Sequence, residues 1–233
     1  MKQILLFIAS FFMLISCRYK SGSGILVKEE RNVSSFESVS AAGPFEVTLL
    51  QGDAQKVTVE SDDNLIRYVE TDVSGHTLKI KLRKAFSFRN GHFKVFITAP
   101  QYSSIQASAS ANIESDGLLK SADAISVKSS SAGDITLELD APSVELDASS
   151  GAQINSKGRT RKLSAEASSG ATVDAKNLLS ENTQASSSSG ATINVHASVS
   201  LNASASSGGA VHYNGGATDV RKKESSGGSV NKD

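Results

Sequence analysis

A short Ser/Gly phrase followed by a β-branched residue returns seven times in the C-terminal half of this chain. Aligned on the β-branched residue, the copies are SASANI (Ile113), SSAGDI (Ile135), SSGAQI (Ile154), SSGATV (Val173), SSGATI (Ile193), SSGGAV (Val211) and SSGGSV (Val230). Their intervals are 22, 19, 19, 20, 18 and 19 residues. So regular a period marks a solenoid, in which each unit touches only its neighbours. Within a unit the apolar period is two. Ile193, Val195 and Ala197 face one way and Asn194 and His196 the other; after a break, Val199, Leu201, Ala203 and Ala205 alternate with Ser200, Asn202 and Ser204. That is strand alternation rather than helical spacing. The fold class expected for residues 105–233 is therefore all-β: a parallel β-helix with coils of about 19–20 residues.

The phrase itself is a corner. A coil turns sharply between strands, and Gly151, Gly170, Gly190, Gly208 and Gly227 sit where backbone angles closed to other residues are useful. Flanking serines are small enough for corners of successive coils to lie about 4.8 Å apart, and their hydroxyls can bond backbone groups left over at the turn. One coil cannot stand alone. Each buried aliphatic side chain contributes roughly 1.5–3 kcal/mol, while ordering each residue's backbone costs about 1–2 kcal/mol. Only stacking makes the unit viable. Aromatic residues amount to 6% and Trp is absent, so the core must be narrow and built from small and β-branched side chains.

The N-terminus is a targeting segment. Lys2 precedes the apolar run Ile4–Ile15, which ends in Leu-Ile-Ser-Cys, a bacterial lipobox pattern. Residues 1–16 are then a lipoprotein signal peptide, and Cys17, the one cysteine, accepts the lipid that ties the protein to a membrane. A single cysteine excludes intrachain disulfides and a cysteine-based metal site. Residues 17–31, with Arg-Tyr-Lys-Ser-Gly-Ser-Gly at 18–24, read as a tether. Lys+Arg and Asp+Glu balance at 24 each, which gives no electrostatic case for a nucleic-acid partner.

Residues 32–104 form a β-rich N-terminal section. Phe45–Leu50 and Lys56–Glu60 are alternating runs separated by Gln-Gly-Asp-Ala-Gln, a turn signal. Val73–Leu82 reads as a hairpin around Ser74-Gly75, and His92–Pro100 as another strand. Ser61–Glu70 starts either a short helix capped by Asp or Asn, or a loop leading to a strand. This section merges with the first coils and covers their open edge.

The order of segments resembles a known family. A lipoprotein signal, then FEVTLLQG, DNL, GHTLKI and VFITAP, then repeated SSGAxIN, is similar to the putative auto-transporter adhesin head, or GIN-domain, family of Bacteroidetes. The resemblance implies a right-handed β-helix and a lipid-anchored place in the cell envelope, at the outer membrane. It supplies no catalytic residues. The residues after Cys17 are basic and neutral, without an acidic run associated with surface export, which leans toward the periplasmic face.

Stacked coils align the outward residues that follow each repeat's Ile or Val: Glu114, Thr136, Asn155, Asp174, Asn194, His212 and Asn231. Asn155, Asp174 and Asn194, with His196 and His212 nearby, are the candidate binding ladder. The plainer reading is a solvated face; the sharper one is a shallow strip for a glycan or protein ligand. Asp174 has no acid one coil away, so the paired-carboxylate chemistry of a carbohydrate-active enzyme is not expected. The histidines lack metal spacing, no phosphate loop or nucleophile elbow is present, and the serines lack a partnered base. No catalytic residue, metal or cofactor is expected. An adhesin or scaffold is the leading function, with a carbohydrate-active β-helix enzyme or a periplasmic partner-binding module as alternatives.

Overall fold

The computed structural model describes residues 19–83 and 87–233; the segment read as a signal peptide and Cys17 lie outside the described residues. Its strands begin with β1 (Tyr19–Ser21), β2 (Leu26–Glu30), β3 (Ser38–Ala42), β4 (Glu46–Gln51) and β5 (Lys56–Asp62). A 3-10 turn at Ile66–Tyr68 leads to β6 (Val69–Ser74), β7 (Thr77–Leu82), β8 (Ser87–Arg89) and β9 (Phe93–Ala99). The repeats supply β10 (Ser104–Ser108), β11 (Asn112–Lys120), β12 (Ile125–Ser129), β13 (Asp134–Ala148), β14 (Gln153–Ala167) and β15 (Thr172–Ser187). They continue as β16 (Thr192–His196), β17 (Ser200–Ala205), β18 (Ala210–Asn214), β19 (Asp219–Glu224) and β20 (Ser229–Lys232).

Each coil has two arms because its apolar alternation changes phase once. In β13 the inward residues are Ile135, Leu137, Leu139 and Ala141, then, after Pro142 and Ser143, Val144, Leu146 and Ala148. A strictly period-two strand could not bury both sets. The chain bends at Pro142, and the second arm returns beside the first. Parallel pairing then stacks coil on coil into a β-solenoid of about 6 turns. The register is the one implied by the repeats: Ile113 pairs with Ile135, Ile135 with Ile154, Ile154 with Val173, Val173 with Ile193, Ile193 with Val211, and Val211 with Val230. The column runs on through Val47 and Val95, so the two sheets continue into the N-terminal section without a break.

Two edges join the arms. One carries the Ser/Gly corners, and here two consecutive residues are left-handed rather than one. Ser150 (φ 55°) precedes Gly151 (φ 69°), and Ser169, Ser189, Ser207 and Ser226 behave alike before Gly170, Gly190, Gly208 and Gly227. With Ala152 N–H donating to Ser149 O at 3.2 Å, each corner is a type I′ turn. The same geometry occurs at Ala109-Ser110 and Ser131-Ala132, where no glycine stands. Left-handed geometry turns the central amide along the solenoid axis. Gly151 N–H donates to Ser169 O, Gly170 to Ser189 O and Gly190 to Ser207 O, each at 3.1 Å. Backbone therefore closes the corners, where the sequence suggested seryl hydroxyls; Ser187 Oγ, donating to Ala191 O at 2.8 Å, is the hydroxyl that does so. At the opposite, bent edge Gly158 (φ 114°) crosses the coil before it, and a Cβ there would lie 2.1 Å from Leu139 O.

The N-terminal end is closed by antiparallel strands. On one face β9 pairs with β5 and β5 with β2; on the other β7 pairs with β6. Strands β4 and β5, adjacent in sequence, are thus separated by β9. The β6–β7 turn centres on Gly75-His76, one residue beyond the expected Ser74-Gly75, because both residues are left-handed. Between β5 and β6 the chain crosses the end of the core, burying Leu65, Ile66 and Tyr68. The scarce aromatics gather beneath it: Tyr68, Phe88, Phe93 and Phe45 form a chain with centroids 5.7–5.8 Å apart.

Residues 19–30, part of the stretch read as a tether, are paired with the body. β1 lies parallel to β8 and β2 antiparallel to β5. The Asp62–Asn64 loop does the tying, with Asp62 Oδ1 accepting Gly24 N–H at 2.7 Å, Ser23 Oγ donating to Asp63 at 2.5 Å and Asn64 Nδ2 to Ser21 O at 2.9 Å. Composition suggested flexibility because the partners lie some forty residues away. At the other end the charges of Arg221–Glu224 face solvent, Lys222 Nζ donates to Val230 O at 3.1 Å and Glu224 accepts Val230 N–H at 2.6 Å, so the last rung is tied down.

Two outcomes follow from the corners and the cap. Gly170→Ala meets no atom within 4 Å and should cost only the left-handed penalty of about 1–2 kcal/mol, whereas Gly158→Ala should cost more. Ala132→Gly should be neutral or stabilising by up to about 1 kcal/mol, all read from urea midpoints. Burial pushes the Asp62 carboxyl up, but the amides of His92 and Gly24 outweigh it, and the net lies below the ordinary value of 3.8. A depressed native pKa adds stability above the unfolded value that is lost as pH falls through the native one. Wild-type unfolding midpoints should therefore drop below pH 3.8, while Asp62→Asn should be weaker at pH 7 by about 2 kcal/mol and show less of that acid loss.

Candidate functional site

The outward ladder is a consequence of register. Glu114, Thr136, Asn155, Asp174, Asn194, His212 and Asn231 stand one per coil, each paired with the next. Its members bond mainly to near neighbours. Asn155 Nδ2 donates to Thr136 Oγ1 at 3.5 Å and its Oδ1 accepts Gln153 Nε2 at 3.3 Å. Asp174 faces Lys176 Nζ at 3.4 Å, and His212 Nδ1 lies 3.4 Å from Asp233 near the C-terminal end. A depression of about 180 Å³ lies over Asn155 and Asp174, with Lys157 and Asn177 at its rim.

His196, two residues beyond Asn194 on the same side of β16, also reaches another depression. It ends β16 at the bent edge, with Nδ1 3.3 Å from Ser180 O, and lines a larger cavity of about 470 Å³ with Asp140, Pro142, Arg159, Arg161, Leu179 and Glu181. A second cavity of about 450 Å³ lies around the bend, lined by Lys162, Ser164, Asn182, Gln184, Asn202 and Arg221. A smaller one over Pro142, Ser143, Arg161, Lys162, Glu181 and Asn182 shares residues with both. The three make one open groove wrapping the bent edge. Period-two reasoning assigns residues to faces and misses this edge, where consecutive residues such as Arg161-Lys162 and Glu181-Asn182 are both exposed. The signal present in the sequence was the basic run Arg159-Thr160-Arg161-Lys162.

Charges in the groove are only partly matched. Arg159 Nη2 donates to Asp140 Oδ2 at 2.7 Å, and this hydrogen bond, against a smaller burial effect, holds the Asp140 carboxyl below the usual range. Arg221 faces Asp219 at 3.5 Å. Arg161, Lys162 and Glu181 make no ion pair among the described residues. The polar walls carry amides and hydroxyls, with Ser200 Oγ donating to Asn182 Oδ1 at 2.8 Å; Leu179, 56% exposed, is the large apolar contact.

Among the described residues the groove holds no assembled acid–base pair. Ser180 and Thr183 hydroxyls both donate to the backbone carbonyl of His196, so neither is held by its ring. Asp140 is committed to Arg159. Asp134, whose carboxyl burial pushes up, pairs in register with neutral Asn112 and Gln153. Among the described residues, no group of three or more His, Cys, Asp or Glu side chains is placed to hold a metal.

The segment that builds the coils and most of the N-terminal cap matches a described family. Residues 35–217 match the putative auto-transporter adhesin, head GIN domain. The chain belongs to that family. No curated protein is detectably similar to this GIN-domain chain in sequence. Among solved structures, a putative adhesin from Bacteroides fragilis superposes with a TM-score of 0.85 at 18% identity, covering 92% of this chain and 100% of its own. A putative lipid binding protein from Parabacteroides distasonis gives 0.73 at 18%, and a putative adhesin from Parabacteroides merdae 0.73 at 17%; each covers 93% of this chain and 100% of its own. At such identities the likeness establishes a shared fold.

Proposed function

We propose that this GIN-domain protein is a non-catalytic binding protein of the cell envelope, held to the membrane through acylated Cys17. A glycan or protein ligand lies in the groove along the bent edge. One observation carries the reading: an open, rigidly backed groove wraps the bent edge, lined by charged, amide and hydroxyl side chains, with Arg161 and Lys162 left without acidic partners and no acid–base pair beside them among the described residues. Rigid side chains on stacked strands suit recognition, since little order is lost on binding. The adhesin descriptions of the family and of its solved relatives support the same class of function. The lipobox pattern supports the anchor, and the basic and neutral residues after Cys17 favour the periplasmic face of the outer membrane.

The test has two arms. Protein displayed on an array of glycans and envelope extracts should retain a ligand that the Arg161→Glu/Lys162→Glu pair loses at least ten-fold while its thermal midpoint stays unchanged; Asn155→Ala/Asp174→Ala should bind as wild type. Loss through the ladder pair instead would move the site to the 180 Å³ depression. In cells, wild type should float with outer membranes and resist protease until they are opened, and Cys17→Ala should be released. Digestion on intact cells would place the protein on the surface.

A further inference from the structure

We propose that the N-terminal end of the solenoid is a membrane-seating face, which lies flat on a phospholipid surface and holds the coils upright above it. The inference rests on the lipid anchor proposed above and adds a contact made by the folded body itself. Two independent observations carry it.

The first is the length of the link. β1 starts at Tyr19 and is fixed by its pairing to β8 and by the bonds from the Asp62–Asn64 loop. Cys17 is two residues upstream, so the anchor reaches roughly 7 Å from the folded body at most. A lipid there brings this end, and no other, within contact of the headgroups. The coils carrying the groove lie toward the opposite end of the stack.

The second is what this end displays. Tyr19, Ile25 and Leu26 are 53%, 62% and 50% exposed, which makes them three of the large apolar side chains that the fold leaves uncovered. Cations stand at the same end: Arg89 stacks over the Tyr19 ring at 4.0 Å, and Lys20 and Arg67 lie over the Tyr68 ring that caps the core, each 5.2 Å from its centroid. The exposed acids nearby are engaged: Asp63 accepts Ser23 Oγ, and on β2 Glu29 pairs with Arg31 and Glu30 with Lys56. An aromatic ring, aliphatic side chains and long cationic side chains grouped at one end fit the boundary between acyl chains and headgroup phosphates. Arg and Lys stems lie along the apolar residues while their charges reach phosphate oxygens.

Because the chain has one cysteine and acylation consumes its thiol, a new cysteine can be spin-labelled alone. Full-length protein processed in its own cells, carrying Ile25→Cys or Asn231→Cys, is reconstituted into phosphatidylcholine/phosphatidylglycerol vesicles. Collision with oxygen is compared with collision with a water-soluble nickel chelate. The label at 25 should favour oxygen several-fold and the label at 231 the nickel chelate, and Arg67→Glu/Arg89→Glu should return position 25 toward water. If the protein floats with vesicles while both labels remain equally open to nickel, the anchor stands and the seating face is wrong. If wild type takes up label at Cys17 and fails to float, the anchor itself is wrong and the seating face falls with it.

Discussion

Everything in this molecule depends on the backbone hydrogen-bond ladder passing through the corners. In most parallel sheets the connection between strands leaves the sheet, and the ladder stops there. Here a type I′ turn places two residues in left-handed conformation, and the amide of the second points at the next coil. The pairing of one arm thereby continues into the pairing of the other. Seven such corners stack, and the left-handed penalty of about 1–2 kcal/mol at each non-glycine residue is offset by the bond that the second amide makes to the next coil and by the bond that closes the turn.

That constraint explains the composition. Corners in contact every 4.8 Å or so tolerate only small residues, which accounts for the serines, alanines and glycines. A two-armed coil encloses a core one or two side chains wide, filled by Ile, Val, Leu and Ala. Four aromatic rings, Tyr68, Phe88, Phe93 and Phe45, plug the N-terminal opening. Antiparallel β2, β5 and β6 then finish the edges that would otherwise recruit further strands. Function is left to whatever side chains stand outside the coil, and these are densest at the bent edge, where the phase change exposes consecutive residues.

The sequence displayed the stack clearly because its signal is local and repeated. Spacing of Ile113 through Val230 gave the register that the structure shows, and with it the outward ladder from Glu114 to Asn231. Three features escaped. Left-handed serines were hidden behind the more familiar glycines. Order in residues 19–30 comes from Asp62, Asp63 and Asn64, about forty residues distant, which no local composition can reveal. The groove formed from Arg159–Lys162, Glu181 and His196 arises from a bend that interrupts the period, whereas a periodic reading follows faces. His196 shares the outward side of β16 with Asn194, as alternation implies, and also lies at the bend beside Ser180.

Native-state amide hydrogen exchange at Gly151, Gly170 and Gly190 tests the continuous ladder most directly. These amides belong to surface turns, and exposed turns ordinarily exchange quickly. If they carry the ladder, their protection should match that of the strand amides at Ile154, Val173 and Ile193 in the same coils. Protected strands beside rapidly exchanging corner glycines would show that the arms stack independently, and the corner-centred account would be wrong.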